Sequence, residues 1–228
     1  MKESQARKRS SLYRSRKIIA AAMELFCDQG IEQTSVEEVA ERAGVGAATI
    51  YRYYETKSGL AVEAGVAYWK KIEQEYLNVD DAAGYADMTG KEQLQYILDA
   101  LVRIFEHETA FLKYLQEFDV FLFQNRVDKE KLTEYEACIM NLKPRVTDAL
   151  EKGLNDGTLS FDWTPEEVCY SLAHTSFGLM KRLAWNGTML NLDRKVSLLL
   201  QVQIALRLML DGLSVHREKL EDRRGQDV

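Results

Sequence analysis

Residues 34–60 read TSVEEVAERAGVGAATIYRYYETKSGL, and the order of caps, apolar positions and glycines in this stretch decides the fold. Thr34 and Ser35 are both good N-caps, and each has a glutamate three positions on, Glu37 or Glu38, so a capping box can form in either register. Val36, Val39, Ala40 and Ala43 recur at i, i+3, i+4 and i+7, which places one apolar stripe on a helix whose other faces carry Glu37, Glu38, Glu41 and Arg42. Gly44 follows the last periodic residue and supplies the left-handed backbone of a tight turn. Val45 then drops toward the core, and Ala47 restarts a helix that runs to about Tyr54. Two short helices joined by a glycine turn are the layout of a helix-turn-helix DNA reader.

Both flanks extend that pattern. Upstream, residues 16–35 read RKIIAAAMELFCDQGIEQTS, a helix with Ile18, Ala22, Leu25 and Phe26 inward and Gly30 at its end. Downstream, Thr56 caps a fourth helix expected to continue through Tyr76; Gly59 falls at its third position, so that helix lacks a capping box. Over residues 14–60 the chain resembles the tetracycline-repressor (TetR) family, and more loosely so over the remainder. The resemblance implies a three-helix DNA-binding domain followed by a helical domain for small-molecule inducers and dimerisation. Four positions depart from the family pattern: Gly46 stands where serine is usual, Ala48 where glycine is common, Tyr54 where phenylalanine is usual and Gly59 where an acidic residue is frequent.

Composition agrees with an all-α fold. Hydrophobic residues make up 46% of the 228 and there are only two prolines, which favours long uninterrupted helices over a turn-rich β architecture. Cys27, Cys138 and Cys169 are odd in number and show no CxxC spacing, so neither a disulfide framework nor a zinc site is expected, and a reducing cytoplasm fits. No metal and no cofactor is expected. The most apolar late stretch, 196–210, is interrupted by Gln201, Gln203 and Arg207, so no membrane span is expected.

A net charge of −6 is unusual for a DNA binder until it is divided along the chain. Residues 1–60 carry ten Lys and Arg against eight Asp and Glu, net +2; the rest carry twenty against twenty-eight, net −8. Within the first 17 residues Lys2, Arg7, Lys8, Arg9, Arg14, Arg16 and Lys17 face only Glu3. That asymmetry orients the N-terminal end toward a polyanion. Residues 1–13 are polar without helical periodicity and are expected to form a mobile basic arm, either laid in a minor groove or merely solubilising. The expected organisation is therefore the arm at 1–13, the helix-turn-helix domain at 14–59 and the helical ligand-binding and dimerisation domain at 60–228.

In that last domain, 91–106 reads helical, and the next helix is apolar through Phe111, Leu112, Tyr114, Leu115, Phe118, Phe121, Leu122 and Phe123, a surface wide enough to be buried on two sides. Residues 129–153 form a helix that Pro144 kinks or divides. Thr164, Pro165, Glu166 and Glu167 open another helix, and a last long one begins near Asp193. It carries Val196, Leu199, Leu200, Leu206 and Leu210 on one side and Leu198, Val202, Ala205 and Met209 on another, so one face serves the core and the other wants a partner.

The expected DNA contacts are Thr34, Ser35, Gly46, Ala47, Ala48, Thr49, Tyr51, Arg52, Tyr53 and Lys57. Small residues at 46–48 let the helix end approach base edges, and an alanine methyl suits thymine. Thr49 and Arg52 are the polar readers, Arg52 having the fork that grips guanine O6 and N7, although a solvated arginine is the plain alternative. The family resemblance puts Tyr51 and Tyr53 on phosphates. Lys57 adds a phosphate contact or is one more exposed lysine. Phe105, Phe111, Tyr114, Phe118, Phe121, Tyr135, Tyr170 and Phe177 are candidates to line an inducer pocket, each also readable as ordinary core. Catalysis has little support: His107, His174 and His216 lack metal-ligand spacing and no glycine-rich phosphate loop occurs, so no catalytic residue is assigned. The function expected is a ligand-responsive repressor binding a palindromic operator as a homodimer through its last two long helices. The alternative is a helical small-molecule-binding protein or enzyme without sequence-specific DNA binding.

Overall fold

The computed structural model describes residues 2–78, 82–127, 129–189 and 191–215, the side chains of 2–8, 192 and 193 excepted. His216 lies outside them. Among the described residues the chain is all helical apart from one isolated bridge between Leu159 and Ser214. Ten α-helices follow one another: α1 (Lys2–Gln29), α2 (Val36–Ala43), α3 (Ala47–Tyr54), α4 (Lys57–Ile72), α5 (Gly90–His107), α6 (Thr109–Asn125), α7 (Thr133–Met140), α8 (Lys143–Asn155), α9 (Pro165–Asn186) and α10 (Leu198–Leu213). They sort into two compact units, 1–75 with 108–141 and 184–186, and 76–107 with 142–183 and 187–228. That division departs from the expected boundary at residue 59, because α4, α6 and α7 pack in the same unit as the helix-turn-helix.

The first unit is built around α4. Leu60, Ala61, Val62, Ala64, Val66, Tyr68, Trp69 and Ile72 are all buried, since α1, α3, α6 and α7 each cover part of its circumference. Gly65 is what allows α6 and α7 to come so close: a β-carbon there would stand 2.8 Å from the Tyr135 ring and 3.2 Å from the Tyr114 hydroxyl. Tyr114 donates to the Ala61 carbonyl at 2.5 Å, and burial drives its phenol well above the ordinary range. Rings continue outward through Tyr68, Phe111, Phe118 and Tyr135, with centroids 4.8–5.7 Å apart. Aromatic pairs of that spacing each contribute about 0.5–1.5 kcal/mol beyond area burial.

Three expectations change here. The stretch 2–13, read from sequence as an arm without helical structure, is the opening of α1, in which Ser11, and Ser15 one turn later, find hydroxyl partners on α3 that no periodicity reveals. The apolar run of α6 is buried from Phe111 to Phe121, but Phe123 is 88% exposed, because the inward faces of the helix are already filled. Pro144 divides rather than kinks: α7 ends at Met140 and Pro144 sits in the first turn of α8, where its missing N–H leaves no helical bond unmade.

The second unit packs α5 against α8 and α10. Leu94, Ile97, Leu98, Leu101, Ile104 and Phe105 supply the buried stripe of α5. Gly90 at its start lies against Gly153 of α8 with no room for a β-carbon, and the Gly90 N–H donates to the Asp156 carboxylate at 2.7 Å. The turn after α8 is tied to the end of α10 by Ser160 N–H to Leu213 O, 2.8 Å, and Val215 N–H to Thr158 O, 3.2 Å. α9 begins with the expected capping box of Thr164 and Glu167. α10 begins at the Ser197 cap instead of near Asp193, after a 3₁₀ turn at Asn191–Arg194. Its inward face is Val202, Leu206, Leu210 and Leu213, which mixes the two sides read from sequence; Leu200, Ile204 and Leu208 face out.

Gly90→Ala is expected to lower stability by about 1–3 kcal/mol, the usual cost of overpacking, and so to lower the thermal midpoint by about 2–4 °C for each kcal/mol. An unchanged midpoint in calorimetry would show that α5 and α8 do not meet through these glycines.

Candidate nucleic-acid interface

Of the two possible caps of α2, Ser35 is the one used. Its hydroxyl accepts from Glu38 N–H at 3.1 Å, and Glu38 Oε2 accepts from Ser35 N–H at 2.7 Å, completing the capping box. These bonds, the Ser35 N–H first and its hydroxyl second, hold the Glu38 carboxyl below the usual carboxylate range. Thr34 turns the other way. It is 1% exposed and donates to the Gly30 carbonyl at 2.8 Å, so its expected place among the DNA contacts is corrected: it closes α1 onto the turn.

Gly44 has φ 66° and ψ 40°, the left-handed conformation expected of it, and Val45 N–H reaches back to Ala40 O at 2.9 Å. The chain then enters α3 through Gly46, extended at φ −80° with open space around its α-carbon. The usual serine would fit there, so packing does not account for the glycine. Within α3, Ile50 and Tyr54 are buried, while Ala48, Tyr51 and Arg52 are exposed and share one face at i, i+3 and i+4. Ala47, Thr49 and Tyr53 are half-buried. The Arg52 guanidinium lies 5.7 Å from the Tyr53 ring centroid.

The tyrosines differ in their hydroxyls. Tyr51 projects outward, whereas the Tyr53 hydroxyl lies 2.8 Å from Ser11 Oγ and the Tyr54 hydroxyl 2.9 Å from Ser15 Oγ, both on α1. Lys57 is half-buried and donates to the Glu32 carbonyl at 2.7 Å.

After α3 the chain makes a tight reversal. Glu55 has φ 62° and ψ −44°, and Thr56 N–H donates to Tyr54 O at 2.6 Å across it, the pattern of a γ-turn. The turn drives the Tyr54 carbonyl into the first turn of α4, where a β-carbon at position 59 would collide with it. Gly59, visible in the sequence only as a missing capping-box acid, is therefore the residue that lets α4 start directly beneath α3. Thr56 caps that start, accepting from Gly59 N–H at 3.0 Å. Lys131, in the segment before α7, reaches Glu55 at 3.3 Å; neither residue was singled out by sequence reasoning, and no local pattern marks them.

The sequence-derived ligand candidates are not gathered in one place. Phe111, Tyr114, Phe118, Phe121 and Tyr135 are buried in the first unit, where Tyr114 stacks on Phe118 and the Tyr135 ring meets Phe118 at a tilt. Phe105, Tyr170 and Phe177 belong to the second unit, and Tyr170 is an exposed residue beneath Lys143. A groove of about 470 Å³ between α9 and α10 is lined by Trp163, Val168, Leu172, Leu208, Met209 and Leu213 among others, and by none of the eight.

Residues 18–64, from the inward stripe of α1 to the second turn of α4, match the family model of bacterial regulatory proteins, tetR family. Over those residues the chain matches the tetR family. Curated proteins are similar as well: the HTH-type transcriptional regulator SAR0097 of Staphylococcus aureus is 27% identical over 120 residues, covering 51% of this chain and 61% of that protein. The uncharacterized HTH-type transcriptional regulator YvkB of Bacillus subtilis is 29% identical over 128 residues, 56% of this chain and 62% of that protein. The chain thus spans less than two thirds of either relative. Similar solved structures share the tetR fold over nearly their whole length. A tetR-family regulatory protein from Rhodococcus RHA1 matches with a TM-score of 0.66 at 15% identity, covering 89% of this chain and 98% of that one. The ketosteroid transcriptional regulator KstR2 of Mycobacterium tuberculosis matches with 0.61 at 17%, covering 89% and 96%.

Ser35→Ala is expected to cost about 1 kcal/mol in thermal unfolding near neutral pH. Because the Glu38 carboxyl is held low in the folded chain, its contribution is present above the ordinary carboxylate range and is lost as pH falls through the lowered value. The variant should therefore show a shallower loss of stability on acidification; parallel pH profiles would contradict the box.

Proposed function

We propose that the chain is a DNA-binding transcriptional regulator that addresses a pseudo-palindromic operator as a homodimer and releases it on binding a small molecule, acting as a repressor. The observation that carries the DNA reading is the outward row of Ala48, Tyr51 and Arg52 on α3, held behind the capped α2 by the Gly44 turn. Backbone contacts position such a helix and base-edge contacts select sequence. In this reading Gly46, Ala47 and Thr49 at the start of α3 and Ser35 at the start of α2 are further contacts, Arg52 is the base reader, and Tyr51 and Lys57 are the phosphate groups. The repressor sense and the response to a small molecule are inferred from the likeness to the tetR family over residues 18–64. A ligand acts only through its differential affinity for the DNA-competent and incompetent forms.

Support for the dimer lies in α9 and α10. Leu200, Ile204 and Leu208 form an exposed apolar row at i, i+4 and i+8 of α10, Gly212 continues it at i+12, and a β-carbon at Gly212, or at Gly178 of α9, would meet nothing within 4 Å. Two copies joined there present two reading helices, which a duplex accommodates when they lie about 34 Å or a multiple apart. Among the described residues no helix is long and apolar enough to cross a membrane.

Two measurements test this reading. Arg52→Ala should weaken specific binding by about 1–3 kcal/mol and relax preference at one operator position, as read by binding titrations over a panel of operator variants; an unchanged sequence preference sinks the assignment. Leu208→Glu, placed where the side chain is 66% exposed in the single chain, should give monomers in sedimentation velocity. A dimer of undiminished strength would remove α10 from the interface.

A further inference from the structure

Arg52 is exposed on α3, and its guanidinium lies over the ring of its neighbour Tyr53, 5.7 Å from the centroid. That ring is itself held. Its hydroxyl is 2.8 Å from Ser11 Oγ on α1, and its centroid is 6.0 Å from that of the buried Tyr54 ring. Tyr54 is fixed in turn, its hydroxyl lying 2.9 Å from Ser15 Oγ one turn further along α1. The guanidinium therefore leans on a platform that a second helix keeps in place. An exposed arginine on a bare helix face moves among many rotamers, and ordering it at the moment of binding costs affinity. A ring beneath it removes part of that cost beforehand. The two contacts do not compete, because stacking uses the face of the guanidinium while its N–H donors point outward in its plane.

We infer that Tyr53 is a positioning residue for base selection: its ring, anchored by Ser11 and by Tyr54, holds the Arg52 guanidinium in the orientation from which it reads a guanine edge. This rests on the DNA-binding reading above, in which Arg52 is the base reader. It gives Tyr53 a part in sequence preference, through its ring, where a hydroxyl on a phosphate would add affinity for every sequence alike.

The test uses the full chain, a duplex that it selects from a random-sequence library, and single-base variants of that duplex. Tyr53→Leu should lower affinity for the selected duplex about two- to five-fold, the worth of an exposed cation–ring contact, and flatten preference at the position that Arg52→Ala relaxes and at no other. Tyr53→Phe, which keeps the ring, should retain that preference. In an Arg52→Ala background Tyr53→Leu should change nothing further, because the two residues act as one unit. Nitrogen relaxation of the arginine Nε–H groups in the unaltered chain, free of DNA, should show Arg52 more ordered than Arg16, an exposed arginine of α1. Equal order overturns the inference. So does a loss in Tyr53→Leu that is the same for every duplex, which would make the ring merely structural, or a uniform loss in Tyr53→Phe, which would place the hydroxyl on a phosphate. If the wild-type chain selects no duplex, or Arg52→Ala keeps full preference, the reading beneath fails and this inference falls with it. If both hold and Tyr53→Leu keeps its preference, this inference alone fails.

Discussion

The missing side chain at Gly65 is the constraint on which the first unit depends. It lets Tyr135 and Tyr114 lie directly on the α4 backbone, and that contact pulls α6 and α7 into the same compact body as the helix-turn-helix. With its circumference covered by α1, α3, α6 and α7, α4 cannot shift against one neighbour without disturbing the others, since close-packed interiors transmit displacement instead of absorbing it. Lys71 strengthens the arrangement by pairing with Glu108, only 12% of whose side chain is exposed, at the start of α6. The helix-turn-helix thus packs in one compact body with α4, α6 and α7.

The orientation of α3 rests on backbone devices at its two ends. At the front, the Ser35 and Glu38 box starts α2 and the left-handed Gly44 ends it, which leaves α3 to begin without a side-chain cap of its own. At the back, the reversal at Glu55 and the bare α-carbon of Gly59 bring α4 under α3 within three residues. Laterally, α1 holds Tyr53 and Tyr54 by their hydroxyls. Tyr54, where the family favours phenylalanine, keeps its ring buried and gains a hydroxyl partner in Ser15, so the substitution adds a tether without emptying the core.

The charge distribution and the apolar distribution of the chain point to opposite ends of its job. Basic residues gather along the sequence of α1, while exposed leucine and isoleucine gather on α10. A single acidic protein thus carries a basic N-terminal end and an exposed apolar row. The exposed row of α10 is unusual for a solitary soluble chain and ordinary for one half of a symmetric helical interface.

Residues 34–60 were almost wholly legible because each feature there is local: a cap and its partner lie three residues apart, a glycine sits at a positive φ, and a stripe repeats every turn. The same holds for the start of α9 and for Pro144. What the sequence could not reveal depended on partners far along the chain. Thr34 and Ser35 are equal as caps until the carbonyl of Gly30 claims one of them, and the first turns of α1 have no periodicity until α3 offers two phenols. Aromatic residues at helical spacing look the same whether they line a pocket or fill a core, and only the packing around Gly65 brings Tyr114, Phe118 and Tyr135 together. By itself, then, the sequence determined that this protein is all-helical and where its reading motif begins, turns and ends. Only the tertiary structure decided which helices move with that motif, because contacts between residues tens of positions apart are set by shape and leave no period in the chain.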